Sequence, residues 1–276
     1  MLNRLESYSA KQCEVFLANY HLTISSFNTD AIHDLRVAVK RIRAVFMLLE
    51  RMFPGRFNAK ETEEDLRELF RLSGRMRDAQ VQQQLVLAYS HNTGISFTGY
   101  QNYLINTEKK AIGKFTKYLK GYHAGTDLDN IRKRIHVLLM DTDDETIKQH
   151  INLLVDELLA TTRIMHEEQE QEQDEHLHAI RRKLKQCHNL LSVLKKDDIA
   201  LPELRATLKS LDSVNNLLGD WHDRLVAMET LEKYISKQKK KGTAGQNRYR
   251  LFSETLADER RHFHREILDF FEHQLP

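Results

Sequence analysis

Residues 33–43, His-Asp-Leu-Arg-Val-Ala-Val-Lys-Arg-Ile-Arg, constrain the fold more than any other stretch of this sequence. On a helix, His33, Arg36, Lys40 and Arg43 fall within about 80° of one another and make a single stripe about 15 Å long. Leu35, Ala38, Val39, Ile42, Val45, Phe46 and Leu49 fall within about 120° on the roughly opposite side. One face requires a core; the other presents four cation-capable groups and no acid.

The arrangement recurs. His178, Arg181, Lys185 and His188 repeat the spacing 145 residues further on, with Ile180, Leu184, Cys187, Leu191 and Leu194 behind them. Downstream of each stripe lies a Gly-x-x-x-Asp, Gly74 to Asp78 and Gly219 to Asp223, and this pair keeps the same offset. Two separated motifs sharing one offset identify a tandem duplication.

The segments IHDLRVAVKRIR and LSGRMRDAQV, then LHAIRRKLKQCH and LLGDWHDRLV, resemble the CHAD family, the conserved-histidine α-helical domain. The resemblance covers nearly the whole chain, with both motif pairs in order. It implies an all-α fold of two helical-bundle repeats, about four helices each, with pseudo-twofold symmetry around a basic central channel. It also implies binding of inorganic polyphosphate. Matched to the family, His33 and His178 are the namesake histidines, and Arg36, Lys40, Arg181 and Lys185 are the other basic positions of the helix. Arg43 stands at a position usually basic, where the second copy has His188. Arg77 matches the arginine before the aspartate, where the second copy has His222. With two histidines in place of arginines, the second repeat is expected to grip more weakly.

A chain of 276 residues can bury a sizeable core, and 30% charged residues with only 3 Pro and 10 Gly suit a helical protein. The net charge of +2 would not by itself suggest a polyanion ligand, but the signs are unevenly spread. Acids collect in 61–65, 141–145 and 167–175; bases collect on the stripes, in 109–120 and in 237–241. Local field, not net charge, steers an anion. Cys187 sits in the middle of an apolar face, so a buried thiol is expected there and no disulfide with Cys13. No apolar segment follows Met1, and no apolar run approaches the about 20 residues that span a bilayer. The expectation is a cytoplasmic protein with no membrane contact.

In chain order, residues 1–28 read as a helix broken near 21–28, and Asp30 or Thr29 as the N-cap of the first stripe helix. Phe53-Pro54-Gly55 should end that helix. One helix is then expected from about Asn58 to Ser90, with Gly74 inside it where another backbone comes close. A helix from about Phe97 to Tyr122 follows, then a short one at 127–139. Asp141-Thr142-Asp143-Asp144 reads as a capping signature and closes the first repeat. The repeats are therefore placed at 1–140 and 141–276. In the second, helices are expected to about His166, over the stripe to 195–200, from Pro202 to about Lys241, and from about Gln246 to His273. The acidic run 167–175 reads as a solvated helix end or exposed hinge.

Positions i, i+3, i+7 and i+10 suit a linear polyphosphate, which exposes only oxygens and about one charge per phosphate. They hold cations about 5 Å apart on a rigid support. Arg supplies a planar fork of donors, Lys a compact charge, and protonated His two donors. A lone histidine at a helix start is ordinarily structural; its recurrence at the head of an identical basic stripe argues for function. The polyphosphate-binding candidates are thus His33, Arg36, Lys40, Arg43, Arg77, His178, Arg181, Lys185, His188 and His222. Asp78 and Asp223 are expected to pair with stripe arginines or to cap, and Gly74 and Gly219 to serve packing. Arg67, Arg71, Lys110, Lys114 and Lys117 are possible additional contacts.

Non-catalytic binding is the main reading. Phosphoryl transfer or metal-dependent phosphohydrolysis is the alternative from another class, but no glycine-rich phosphate loop and no acids at metal-ligand spacing support it. No metal or cofactor is expected: His262 and His264, like His176 and His178, are two apart on a helix and diverge. Nucleic-acid binding through the same groove is disfavoured, because few aromatics lie beside the stripes to stack bases.

Overall fold

The computed structural model describes residues 3–167, 174–194, 202–239 and 246–273. Among the described residues there are ten helices and no strand. They are α1 (Arg4–Ser26), α2 (Thr29–Met52), α3 (Ala59–Thr62), α4 (Glu64–Thr93), α5 (Thr98–Leu119), α6 (Ala124–Leu139), α7 (Asp144–Glu167), α8 (Asp174–Leu191), α9 (Pro202–Lys239) and α10 (Gln246–His273). The all-α expectation holds. The acidic stretch 168–173, residues 195–201 and lysines 240 and 241 lie outside the described residues.

Several boundaries differ from the sequence reading, each for a local reason. Helix α1 runs unbroken to Ser26, where Phe27 turns left-handed (φ 49°) and its N–H donates to the Thr23 carbonyl. The expected helix over 58–90 is interrupted at Glu63, which closes the single turn α3 with an N–H donated to Ala59 O. The stripe helix α8 stops at Leu191, short of the expected 195–200. The capping signature is confirmed at Asp143, whose carboxylate accepts the Thr146 N–H at 2.7 Å and is held below its ordinary pKa by that bond.

Two compact units can be separated, and each takes chain from both sides of residue 140. The first unit comprises residues 1–74 and 114–212. Within it α2 packs on α1, α3, α7 and α8, and α7 packs on α8, so in each half the helix preceding the stripe supports the stripe helix. The predicted core face of α2 is buried as expected. Ala44 and Leu48 are buried too, 4% and 0% exposed. They stand about 160° and 120° around the helix from the centre of that face. The second half of α2 is therefore enclosed on more than one side.

The second unit comprises residues 75–113 and 213–276. Its core gathers Val86 of α4, Phe97, Tyr100 and Leu104 on or beside α5, Ala227, Leu231 and Tyr234 of α9, and Phe252 and Leu256 of α10. Aromatic rings dominate it: Phe97–Phe252 and Tyr100–Tyr234 centroids lie 5.3 and 5.2 Å apart. Such pairs add attraction beyond the area they bury.

Candidate functional site

The first stripe stands on α2, and its N-terminus is set by Asn28. That side chain accepts from the backbone N–H groups of Asp30 and Ala31 at 2.7 and 3.3 Å. The expected cap, Asp30 or Thr29, is thus corrected by one or two residues. The left-handed Phe27 leaves Asn28 extended at the helix mouth, where its oxygen meets the orphan donors, while Thr29 and Asp30 are already helical.

His33 is exposed, whereas Arg36, Lys40 and Arg43 are half-buried. The Arg36 guanidinium reaches across to α4. Its Nη1 donates to the Phe70 carbonyl at 2.6 Å and to the Ser73 hydroxyl at 3.3 Å, and its carbon sits 4.0 Å from the centre of the Phe70 ring. Arg43 forms a fork on Glu63, with Nε and Nη2 donating to the two carboxylate oxygens at 2.6 and 3.2 Å. Over residues 33–43 the helix carries no acid on this face, but the interruption between α3 and α4 delivers one.

On α8, His178, Arg181, Lys185 and His188 are all half-buried. Burial, followed by the positive charges of Arg181, Arg182 and Lys185, holds the His178 pKa below its ordinary value. His188 Nε2 lies 2.7 Å from Asp212 Oδ1. The last basic residue of each stripe is therefore matched with a carboxylate of the protein.

All eight stripe residues belong to the first unit, and α2 packs directly on α8. Arg77 on α4 and His222 on α9 are half-buried residues of the second unit. Arg67, Lys110, Lys114 and Lys117 are exposed, and Arg71 donates to Glu68 at 2.7 Å.

Two glycine readings need correction. A Cβ on Gly74 would meet the Arg36 guanidinium, with Nη1 at 2.9 Å, so the group that comes close is a side chain and no second backbone. A Cβ on Gly219 would meet nothing within 4 Å, so packing does not require glycine there. Asp78 and Asp223 both lie in helix interiors, which removes the capping role considered for them.

Sequence reasoning missed Glu63 and Asp212 as partners of the stripes. It also missed Arg224 in the second unit, which joins Asp220 at 3.0 Å, Glu259 at 2.9 Å and the face of Phe263. The Asp220–Arg224 spacing of four on one helix was a readable signal; the other two partners come from distant sequence. Among the described residues, no three His, Cys, Asp or Glu side chains are grouped so as to hold a metal ion. Among them too, no helix is long and apolar enough to cross a membrane.

The sequence model of one family, the CHAD domain, matches residues 7–232. The chain belongs to the CHAD family. The match takes in both stripes and both glycine–aspartate motifs. A solved structure, the CHAD domain from the plant Ricinus communis, is similar to this chain with a TM-score of 0.73 at 16% sequence identity, over 99% of this chain and 90% of that one. Identity that low speaks for the fold alone. Among curated proteins none matches this CHAD chain significantly.

Proposed function

We propose that this CHAD domain binds inorganic polyphosphate in a basic groove, without chemistry of its own, with repeats 1–140 and 141–276 each supplying one stripe. The observation that carries the reading is the duplicated His/Arg/Lys stripe on α2 and α8, two helices packed on each other in one unit. Cations repeating about every 5 Å on a rigid helix complement a chain of closely spaced anionic groups. Arginine forks and lysine charges give such a chain donors at every turn. Arg77 and His222 enter the proposal only through the motif they share with the family. Two free, buried thiols, Cys13 and Cys187, agree with a reducing compartment such as the cytoplasm.

Titration of the purified protein with long-chain polyphosphate at several salt concentrations tests the reading. Binding that weakens linearly in log affinity against log salt is expected, by analogy with counterion release from nucleic acids. Polyphosphate should displace a single-stranded DNA probe at far lower phosphate concentration than the reverse. Absence of binding, or the opposite order of displacement, contradicts it.

A further inference from the structure

Glu63 stands at the junction of α3 and α4 with its backbone fixed on both sides. Its N–H donates to Ala59 O at 2.9 Å, and its carbonyl accepts from the Arg67 N–H at 2.7 Å. The side chain is the part that can move. It is sunk, 13% exposed, whereas the side chain of Arg43 that it grips keeps 35% of its surface open. The pair is thus more open to solvent on the arginine side than on the carboxylate side.

We propose that Glu63 is an internal competitor for the anionic ligand, holding Arg43 until the oxygens of a phosphate chain displace it. It thereby sets how dense in charge an anion must be to engage the far end of the first stripe. This rests on the polyphosphate reading above. Carboxylate and phosphate both accept the arginine fork in the same two-pronged way, so the exchange trades like for like at Arg43. The released carboxylate then stays beside the ligand and repels it, so each binding event carries an electrostatic cost. Exposed Glu61, Glu64 and Asp65 deepen the negative field at this end. The equivalent position of the second stripe, His188, is likewise held by the protein's own Asp212, at 2.7 Å.

The test compares long-chain polyphosphate affinity for the full chain and for Glu63→Gln, Glu63→Asp, Arg43→Gln and the double variant Arg43→Gln/Glu63→Gln, all at one salt concentration. Glu63→Gln should bind about three- to tenfold more tightly than wild type. Glu63→Asp keeps the charge and should gain nothing. In the Arg43→Gln background the Glu63→Gln gain should shrink to within about twofold, because the competitor has lost its object. Circular dichroism and thermal unfolding check each variant, with Glu63→Ala as the substitute should Glu63→Gln lose cooperative unfolding. Equal affinity of wild type and Glu63→Gln, or a gain that persists without Arg43, overturns the competitor and leaves the polyphosphate reading standing. Binding by none of these proteins, wild type included, overturns both.

Discussion

The guanidinium of Arg36 fills the space beside Gly74, so that a methyl group on residue 74 would stand 2.9 Å from Arg36 Nη1. The glycine of the duplicated motif is in this repeat a seat for an arginine of the duplicated stripe. Gly219, its counterpart, has nothing within 4 Å of the same point. Alanine at a helix-interior glycine gains up to about 1 kcal/mol. Gly219→Ala should therefore stabilise the protein by about 0.5–1 kcal/mol without changing polyphosphate affinity. Gly74→Ala should push Arg36 off the Phe70 carbonyl, leave stability within about 1 kcal/mol of wild type, and weaken affinity. Urea unfolding and ligand titration of both variants check this, and identical behaviour of the two alanines contradicts it.

Leu48, fully buried on the side of α2 away from the predicted core face, provides a second test. Leu48→Ala should cost about 2–5 kcal/mol, the range for emptying a closed site. A cost below 1 kcal/mol in urea unfolding would mean that this side of the helix is not enclosed.

Helix positions and the two stripes were legible because they depend on periodicity, which the sequence states directly. Residues 33–43 and 178–188 fell on α2 and α8, and Pro202 and Gln246 open α9 and α10 as expected. The partners of the stripes were not legible. Glu63 reaches Arg43 only because the helix breaks at Glu63, in a run of good helix formers where composition argued for continuity. Asn28 displaced Asp30 as cap because Phe27 takes a left-handed turn, a choice made by the chain on both sides of it. Gly74 was recognised as a site of close approach, but which group approaches it depends on the tertiary arrangement of α2 and α4.

The two thiols should be chemically silent in the folded protein. Burial pushes the Cys13 pKa up to about 11 and that of Cys187 up to about 12, from an ordinary 9.0. A group whose folded pKa is raised adds stability that is complete below the unfolded value and fades as pH rises through the folded one. Stability should accordingly decline from about pH 9 upward. Ellman's reagent at pH 8 should label neither cysteine in the native state and both after denaturation; rapid labelling of native protein contradicts the burial.

His178 offers a pH test of binding. Its pKa is depressed below 6.5 by burial and by Arg181, Arg182 and Lys185. A histidine lowered in the folded state adds stability above pH 6.5 that is lost as pH falls, so the unliganded protein should weaken slightly in acid. A bound polyanion favours the charged imidazole and reverses the preference. Polyphosphate affinity should thus increase from pH 8 to 5.5, and His178→Gln should make that increase smaller. A flat wild-type profile over that range contradicts a histidine at the ligand.

The central claim is that the cations of two duplicated stripes hold one anionic chain, and it is tested most directly by removing them together. The Arg36→Ala, Lys40→Ala, Arg181→Ala, Lys185→Ala protein, shown by circular dichroism to remain helical, should be titrated with long-chain polyphosphate beside wild type. We predict an affinity loss of about 100-fold and a shallower salt dependence. Unchanged affinity and an unchanged salt slope would place the binding surface elsewhere on the molecule.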